Sequence, residues 1–327
     1  MLANFKKVSV AAAVAAALGA SGAANAVTLG TPGDALLIPH VITNGLGSDR
    51  NTMISVVSAS PERVDANSFN TLNRRPKECG GSLHWFFFNA ESVEIVDGFL
   101  PVTCEDWVGI DFAAAIEKAP SALGVAGYLV IADAAANETT ASTKILYGAA
   151  WLIEGNWATQ AYIPVLPMLD VADDSPSDEV DHQGQDALKS VNPVRAGMAL
   201  AFNKDTTASF SLRYYLGDDP QGSTAFVLWF PDNSDARENN TIWVYNAEEN
   251  YGSARASYPN ELNVLTVGPG ADIQDWLAET GFVLFEVSDS TSTTNVSRGG
   301  IAFSLIGVSG ANAVQIQTEL AHERGFK

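Results

Sequence analysis

Short apolar segments closed off by turn residues fill most of the chain after residue 34, and their order recurs in the second half. In the first half they are ALLIPHVI (35–42), TMISVVS (52–58), LHWFFFN (83–89), GYLVIAD (127–133), KILYGAAWLI (144–153) and ATQAYIPVL (158–166). The second half offers SFSLRYYLG (209–217), TAFVLWF (224–230), TIWVYNA (241–247), LNVLTV (262–267), GFVLFEV (281–287), GIAFSLIGV (300–308) and AVQIQTEL (313–320). Their β-branched and aromatic content and their lack of a 3.6-residue period predict strands. Most are apolar on both faces rather than alternating, as strands are when both sides of their sheet are covered.

The two halves match with shifting offsets. TMISVV at 52 faces TAFVLW at 224, an offset of 172; LHWFFFNAE at 83 faces TIWVYNAEE at 241, an offset of 158; Gly127-Tyr128 faces Gly281-Phe282, an offset of 154. Before each of those glycines stands an Asp-Trp pair, Asp106-Trp107 and Asp275-Trp276, in text that reads as a short connector helix. Thr103 and Asp106 make a capping-box-like start, and FAAAIEKAP runs into Pro120, where a helix stops. The fold class expected is therefore all-β: two tandem β-sandwich domains (Ig-like or jelly-roll-like) from an internal duplication, with short connector helices. The boundaries expected are 27–169 and 194–327, joined by an acidic linker at 170–193.

Residues 1–26 read as a secretory signal peptide. Lys6 and Lys7 form the positive start, Val8 to Leu18 the apolar run, and Ala24-Asn25-Ala26 the small-residue cleavage site. No later apolar run reaches the roughly 18–20 residues of a membrane span, so the expectation is an exported protein in the periplasm, at the cell surface or outside the cell, without a transmembrane segment after cleavage. In that oxidising setting Cys79 and Cys104, the two cysteines of the chain, are expected to form one disulfide.

Charge narrows the partners. With 18 Lys+Arg against 38 Asp+Glu the net charge is −20, which disfavours nucleic acid because phosphate contacts need clustered cations. The acidic linker holds the one cluster with a cofactor reading: Asp173, Asp174, Asp178, Glu179 and Asp181 could supply oxygens to Ca²⁺, although their spacing lacks the glycine and closing glutamate of an EF-hand loop. Otherwise the stretch reads as a solvated connector.

Catalytic patterns are scarce. There is no GxSxG elbow, GLGSDR (45–50) breaks a phosphate-loop glycine pattern, and His40, His84, His182 and His322 share no metal-site spacing. His84 reads as a hydrogen-bonded structural histidine within a strand. Six of the seven tryptophans read as core, and Trp157, in the EGNWATQ turn, as the exposed one able to stack on a ligand. The function expected is a secreted, non-enzymatic surface or extracellular interaction protein whose partner is a protein or polysaccharide. A carbohydrate-binding or carbohydrate-active protein is the alternative, with an outer-membrane β-barrel behind it.

Overall fold

The computed structural model describes residues 33, 35–59, 81–103, 105–134, 144–155, 157–168, 207–218, 221–230, 237–274, 278–288, 300–310, 313–320 and 322–326. The signal-peptide and acidic-linker expectations lie outside the described residues. The first half contributes β1 (Ala35–Val41), β2 (Arg50–Ala59), β3 (Gly81–Phe88), β4 (Glu94–Val102), β5 (Asp106–Asp111), β6 (Gly127–Asp133), β7 (Ile145–Glu154), β8 (Thr159–Ile163) and β9 (Leu166–Met168). The second contributes β10 (Thr207–Tyr215), β11 (Gln221–Trp229), β12 (Asn240–Asn246), β13 (Tyr251–Ala256), β14 (Leu262–Thr266), β15 (Thr280–Ser288), β16 (Ile301–Gly310), β17 (Ala313–Leu320) and β18 (His322–Phe326).

These strands form four open antiparallel sheets, ordered β4-β3-β6-β1-β9, β5-β2-β7-β8, β13-β12-β15-β10-β18 and β14-β11-β16-β17. Raising every strand number of the first two sheets by nine gives the other two, strand for strand. Each five-stranded sheet packs against the four-stranded sheet of its own half. Thus Phe87 of β3 meets Phe112, next to β5, with ring centroids 4.8 Å apart, and Phe285 of β15 meets Phe226 of β11 at 5.6 Å.

Local devices recur with the topology. The buried Thr52 hydroxyl on β2 accepts from the Ile42 N–H at 3.0 Å and donates to the Ile42 carbonyl at 2.8 Å. On β11, Thr224 does the same for Tyr215, at 2.9 and 3.0 Å. A strand end that would leave two buried backbone groups unpaired is closed in both halves by one hydroxyl.

The β3–β4 and β12–β13 hairpins turn on the same asparagine device. Asn89 Oδ1 accepts from Glu91 N and Val93 N at 3.1 and 2.8 Å, and Asn246 Oδ1 from Glu248 N and Asn250 N at the same two distances. Ser92 and Glu249 take the left-handed conformation, with φ of 66° and 63°. Aligning these asparagines makes the offset 157 there, one less than the text comparison suggests, and sets Phe88 opposite Tyr245. At the start of β6 and β15, a side chain on Gly127 or Gly281 would collide with the carbonyl oxygen of Phe88 or Tyr245 respectively, so close approach demands glycine at both.

The connector helices are overturned in part. Asp106-Trp107 lies in strand β5, where Asp106 Oδ2 accepts from Thr103 N at 2.8 Å but caps a turn into a strand. The helix that follows, α1 (Phe112–Ala115), is a single turn capped by Asp111, whose side chain accepts from Ala114 N. In the second half Asp272 folds back onto Thr266 at 2.8 Å and Val267 bridges Ile273, so extended structure and turns occupy the start of ADIQDWLAE; its Asp275-Trp276 pair lies outside the described residues.

The two halves share a core. On β11 and β16 the side chains alternate between two destinations. Phe226, Leu228 and Ala302 point into the second half's own core, whereas Val227, Trp229, Ile301 and Phe303 join the core of the first half. Trp229 meets Tyr128 of β6 edge to face with centroids 6.1 Å apart, and the Tyr128 hydroxyl donates to Glu261 Oε2 at 2.6 Å. The sheet β4-β3-β6-β1-β9 is therefore covered by β5-β2-β7-β8 on one face and by β14-β11-β16-β17 on the other. Every residue of β1 and β6 is buried as a result.

The hydroxyl clamps give a paired prediction. Thr52→Val and Thr224→Val each keep the shape and strand two buried backbone groups, so each should lower unfolding stability by about 1–3 kcal/mol. Denaturant titration of the single variants checks this; losses of unlike size in the two halves would contradict their structural equivalence.

Candidate functional site

Exposed aromatic rings stand on sheet faces and at hairpin tips. Trp157 stands at the tip of the β7–β8 hairpin, 64% exposed, with φ of 71°. A bulky residue in the left-handed region is strained and persists only when its surroundings hold it. Beside it lies a pocket of about 100 Å³ lined by Gly45, Ser48, Asn51, Met53 and Asp111. Asn51 Nδ2 donates to Asp111 Oδ1 at 2.7 Å, while Asn51 Oδ1 accepts from Thr52 N and Ala113 N, at 2.8 and 3.0 Å. The polar floor is thus fixed before any ligand arrives.

Trp107 was expected in the core and is instead the most exposed large apolar side chain described, at 65%. Its indole N–H donates to Ser55 Oγ at 2.7 Å, and its ring lies about 3.5 Å from where a side chain on Gly109 would begin. Strand β5 is an edge, and on the outer face of its sheet Trp107 stands opposite Val57, which in turn faces Tyr147. Met53 and Trp151 make a second row on that face. The sequence signal for this was the alternation of TMISVVS, in which Thr52, Ile54, Val56 and Ser58 are buried and Met53, Ser55 and Val57 are not.

A second aromatic face covers the outside of β13-β12-β15. Tyr245 stacks on Phe282 with centroids 4.6 Å apart and rings 8° from parallel, and Tyr251 stands 5.7 Å from both Tyr245 and Trp243. Tyr251 is 64% exposed. Between the halves, β8, β10, β16 and β17 line a cleft of about 660 Å³.

The titratable groups serve the framework. His84 Nε2 sits 2.7 Å from Asp97 Oδ2 and stacks on Phe99 at 4.1 Å, the hydrogen-bonded histidine expected. Asp133 and Lys144, both buried, pair at 2.6 Å across the β6–β7 connection. The Glu94 carboxyl is raised by burial, then by Asp97, against the opposing pull of His84. Buried His40 is pushed down to about 4 by desolvation and the nearby Arg50 charge, and its Nδ1 has no hydrogen-bond partner among the described residues.

Cys79, Cys104 and the candidate Ca²⁺ ligands Asp173, Asp174, Asp178, Glu179 and Asp181 lie outside the described residues, as does His182; of His322 only the backbone pairing with Ser211 is described. Among the described residues no helix is long and apolar enough to cross a membrane.

No protein-family model matches the chain, and neither does any curated protein. Among solved structures, the apo form of the Pleurotus ostreatus lectin aligns over 91% of this chain and 78% of its own, at 13% identity and a TM-score of 0.16. At that score the likeness carries no argument about fold or ligand.

The depressed His40 pKa has a definite pH consequence. The folded state keeps His40 neutral down to about pH 4, whereas the unfolded chain protonates near 6.5. Stability is therefore greatest above about 6.5 and declines as the pH falls toward 4. Thermal melts should fall over that window in the native chain and distinctly less in His40→Phe; an equal decline in both would exclude His40 as the source.

Proposed function

We propose that the mature chain is an exported, non-enzymatic interaction protein made of two duplicated β-sandwich units, acting at the cell surface or in the extracellular matrix through its sheet faces. The observation that carries this reading is Trp107, a tryptophan held flat by Ser55 on an open sheet face and left 65% exposed. Burying a ring of this size contributes about 2–3 kcal/mol in area alone, so contiguous exposed rings mark contact surfaces. The duplication is supported by the strand order repeated under a shift of nine, the Thr52 and Thr224 clamps, and the Asn89 and Asn246 turns.

Export is supported by the signal-peptide pattern of residues 1–26. In an oxidising compartment Cys79 and Cys104, the two cysteines of the chain, pair as one disulfide, which closes a loop for a chain-entropy gain of about 3 kcal/mol.

The carbohydrate reading rests on a separate site. Trp157, held in a strained conformation over a floor of Asn51 and Asp111, offers an aromatic face beside fixed polar groups, the combination that binds a pyranose ring.

Intact mass of the unreduced protein purified from its native host should show a chain starting at Val27 and two hydrogens lighter than the reduced form; retention of residues 1–26 would overturn export. Protease treatment of whole cells should remove the protein, and full protection would overturn a surface role. Soluble-glycan titration, with Trp157→Ala as control, tests the second reading: unchanged affinity in the variant sets Trp157 aside.

A further inference from the structure

Asp133 and Lys144 join the two sheets of the first half. Asp133 ends β6 in the five-stranded sheet, paired with Leu83 of β3, and the next residue is held as well, the Ala134 N–H donating to the Ser82 carbonyl at 3.0 Å. Lys144 directly precedes β7 in the four-stranded sheet. Two residues on, Leu146 exchanges both backbone hydrogen bonds with Gly33, at 2.9 and 2.7 Å. Between these fixed backbones Lys144 Nζ donates to Asp133 Oδ1 at 2.6 Å. The Lys144 and Asp133 side chains are 3% and 0% exposed. On β3, a side chain on Gly81 would begin 3.3 Å from Nζ, so the glycine leaves the amine its place.

An ion pair this deep is a poor stabiliser. The desolvation of both charges offsets much or all of their attraction, and well-packed neutral groups of the same volume serve a core as well or better. The topology does not require the pair either. Matching Gly127 to Gly281 sets Val287 in the place of Asp133, and β15 pairs with β10 through that valine.

We propose that the pair is a site of covalent modification of the chain by itself: an amide bond between Lys144 Nζ and Asp133 Cγ, formed after folding. Transfer of one proton along the hydrogen bond leaves an unprotonated amine against a protonated carboxyl, a nucleophile facing its electrophile. Nζ attacks Cγ; the Nζ–Cγ bond forms and a Cγ–O bond breaks. The oxygen leaves as water, taking the carboxyl proton and one proton from nitrogen. An ammonium and a carboxylate go in, an amide and one water come out, with no change of oxidation state and no co-reactant. Two features favour condensation over the hydrolysis that prevails in solution. Contact fixed by the fold stands in for a very high concentration of both reactants. Exclusion of water removes the reagent of the reverse reaction and the solvation that holds the reactants as ions. The product puts one neutral amide where two buried charges stood, and ties the end of β6 to the start of β7.

Mass spectrometry tests this directly. The native chain, reduced so that cysteine pairing does not enter, should be one water lighter than the sum of its residues, and Lys144→Met should carry its full mass. Trypsin on the denatured, reduced native chain then locates the change. An amidated Lys144 is not cut, so residues 119–189 should appear as a single peptide lighter by one water. Because that map needs no variant, it decides the matter even if Lys144→Met fails to fold. A succinimide, as at Asp97-Gly98, loses the same water but leaves Lys144 open to the protease. Separate peptides 119–144 and 145–189 from the folded protein would overturn the proposal, as would a native chain at full mass or a water loss that persists in Lys144→Met.

Discussion

The structure depends on one burial: the second half's four-stranded sheet lies across the first half's five-stranded sheet and removes its outer face from water. Trp229 on Tyr128 is the centre of that contact. Without it, Phe86, Phe88, Tyr128 and Val130, all buried, would form a contiguous solvent-facing apolar patch. With it, β3, β6 and β1 become the middle layer of the molecule, and their sequences are relieved of the usual alternation. The cost is borne at the contact itself, where the Trp229 indole N–H has no acceptor among the described residues. An unpaired donor of that kind costs about 1–3 kcal/mol, less than a tryptophan-centred apolar interface returns.

That layer order explains a difference between two halves with the same topology. β6 reads GYLVIAD and is buried at every position, whereas β12, in the second half's outermost sheet, reads NTIWVYN and alternates between buried and half-buried. Selection for burial on both faces applies only to the middle layer. The outer layers keep one face toward solvent, and there the sequence is free to be polar. It has not become so at Trp107, Tyr147, Tyr245 or Tyr251, and the proposed interaction role rests on the first of these.

Much of the fold was legible in the amino-acid text because its units are local. Period and composition mark strands; Thr52 matched to Thr224, and Gly127 matched to Gly281, fix which strands correspond, and both matches hold in space. The asparagine hairpins corrected one offset by a single residue because the recurring element there is the turn, while the strand text on either side diverges. Trp107 was misread for a related reason. Asp106 and Thr103 do make the hydrogen bond of a helix start, but the same local bond also closes a turn into a strand, and residues 107–111 settle the matter by pairing with β2 across 50 to 58 positions of sequence. Nonlocal pairing outweighs a local cap.

The surfaces were harder to read, for a physical reason that concerns layers. Whether an apolar strand residue is core or contact depends on what is laid over its sheet, and no periodicity within the strand records that. Phe88 and Tyr245 hold corresponding places in the two strand orders, and each stacks on a ring of the next strand, Tyr128 and Phe282 respectively. Phe88 is fully buried, in the layer that Tyr128 and Trp229 close, whereas Tyr245 is half-buried. The strand texts LHWFFFN and TIWVYNA are alike in aromatic content, so the difference in burial comes from the sheet laid across β3 and β6 and not from either strand.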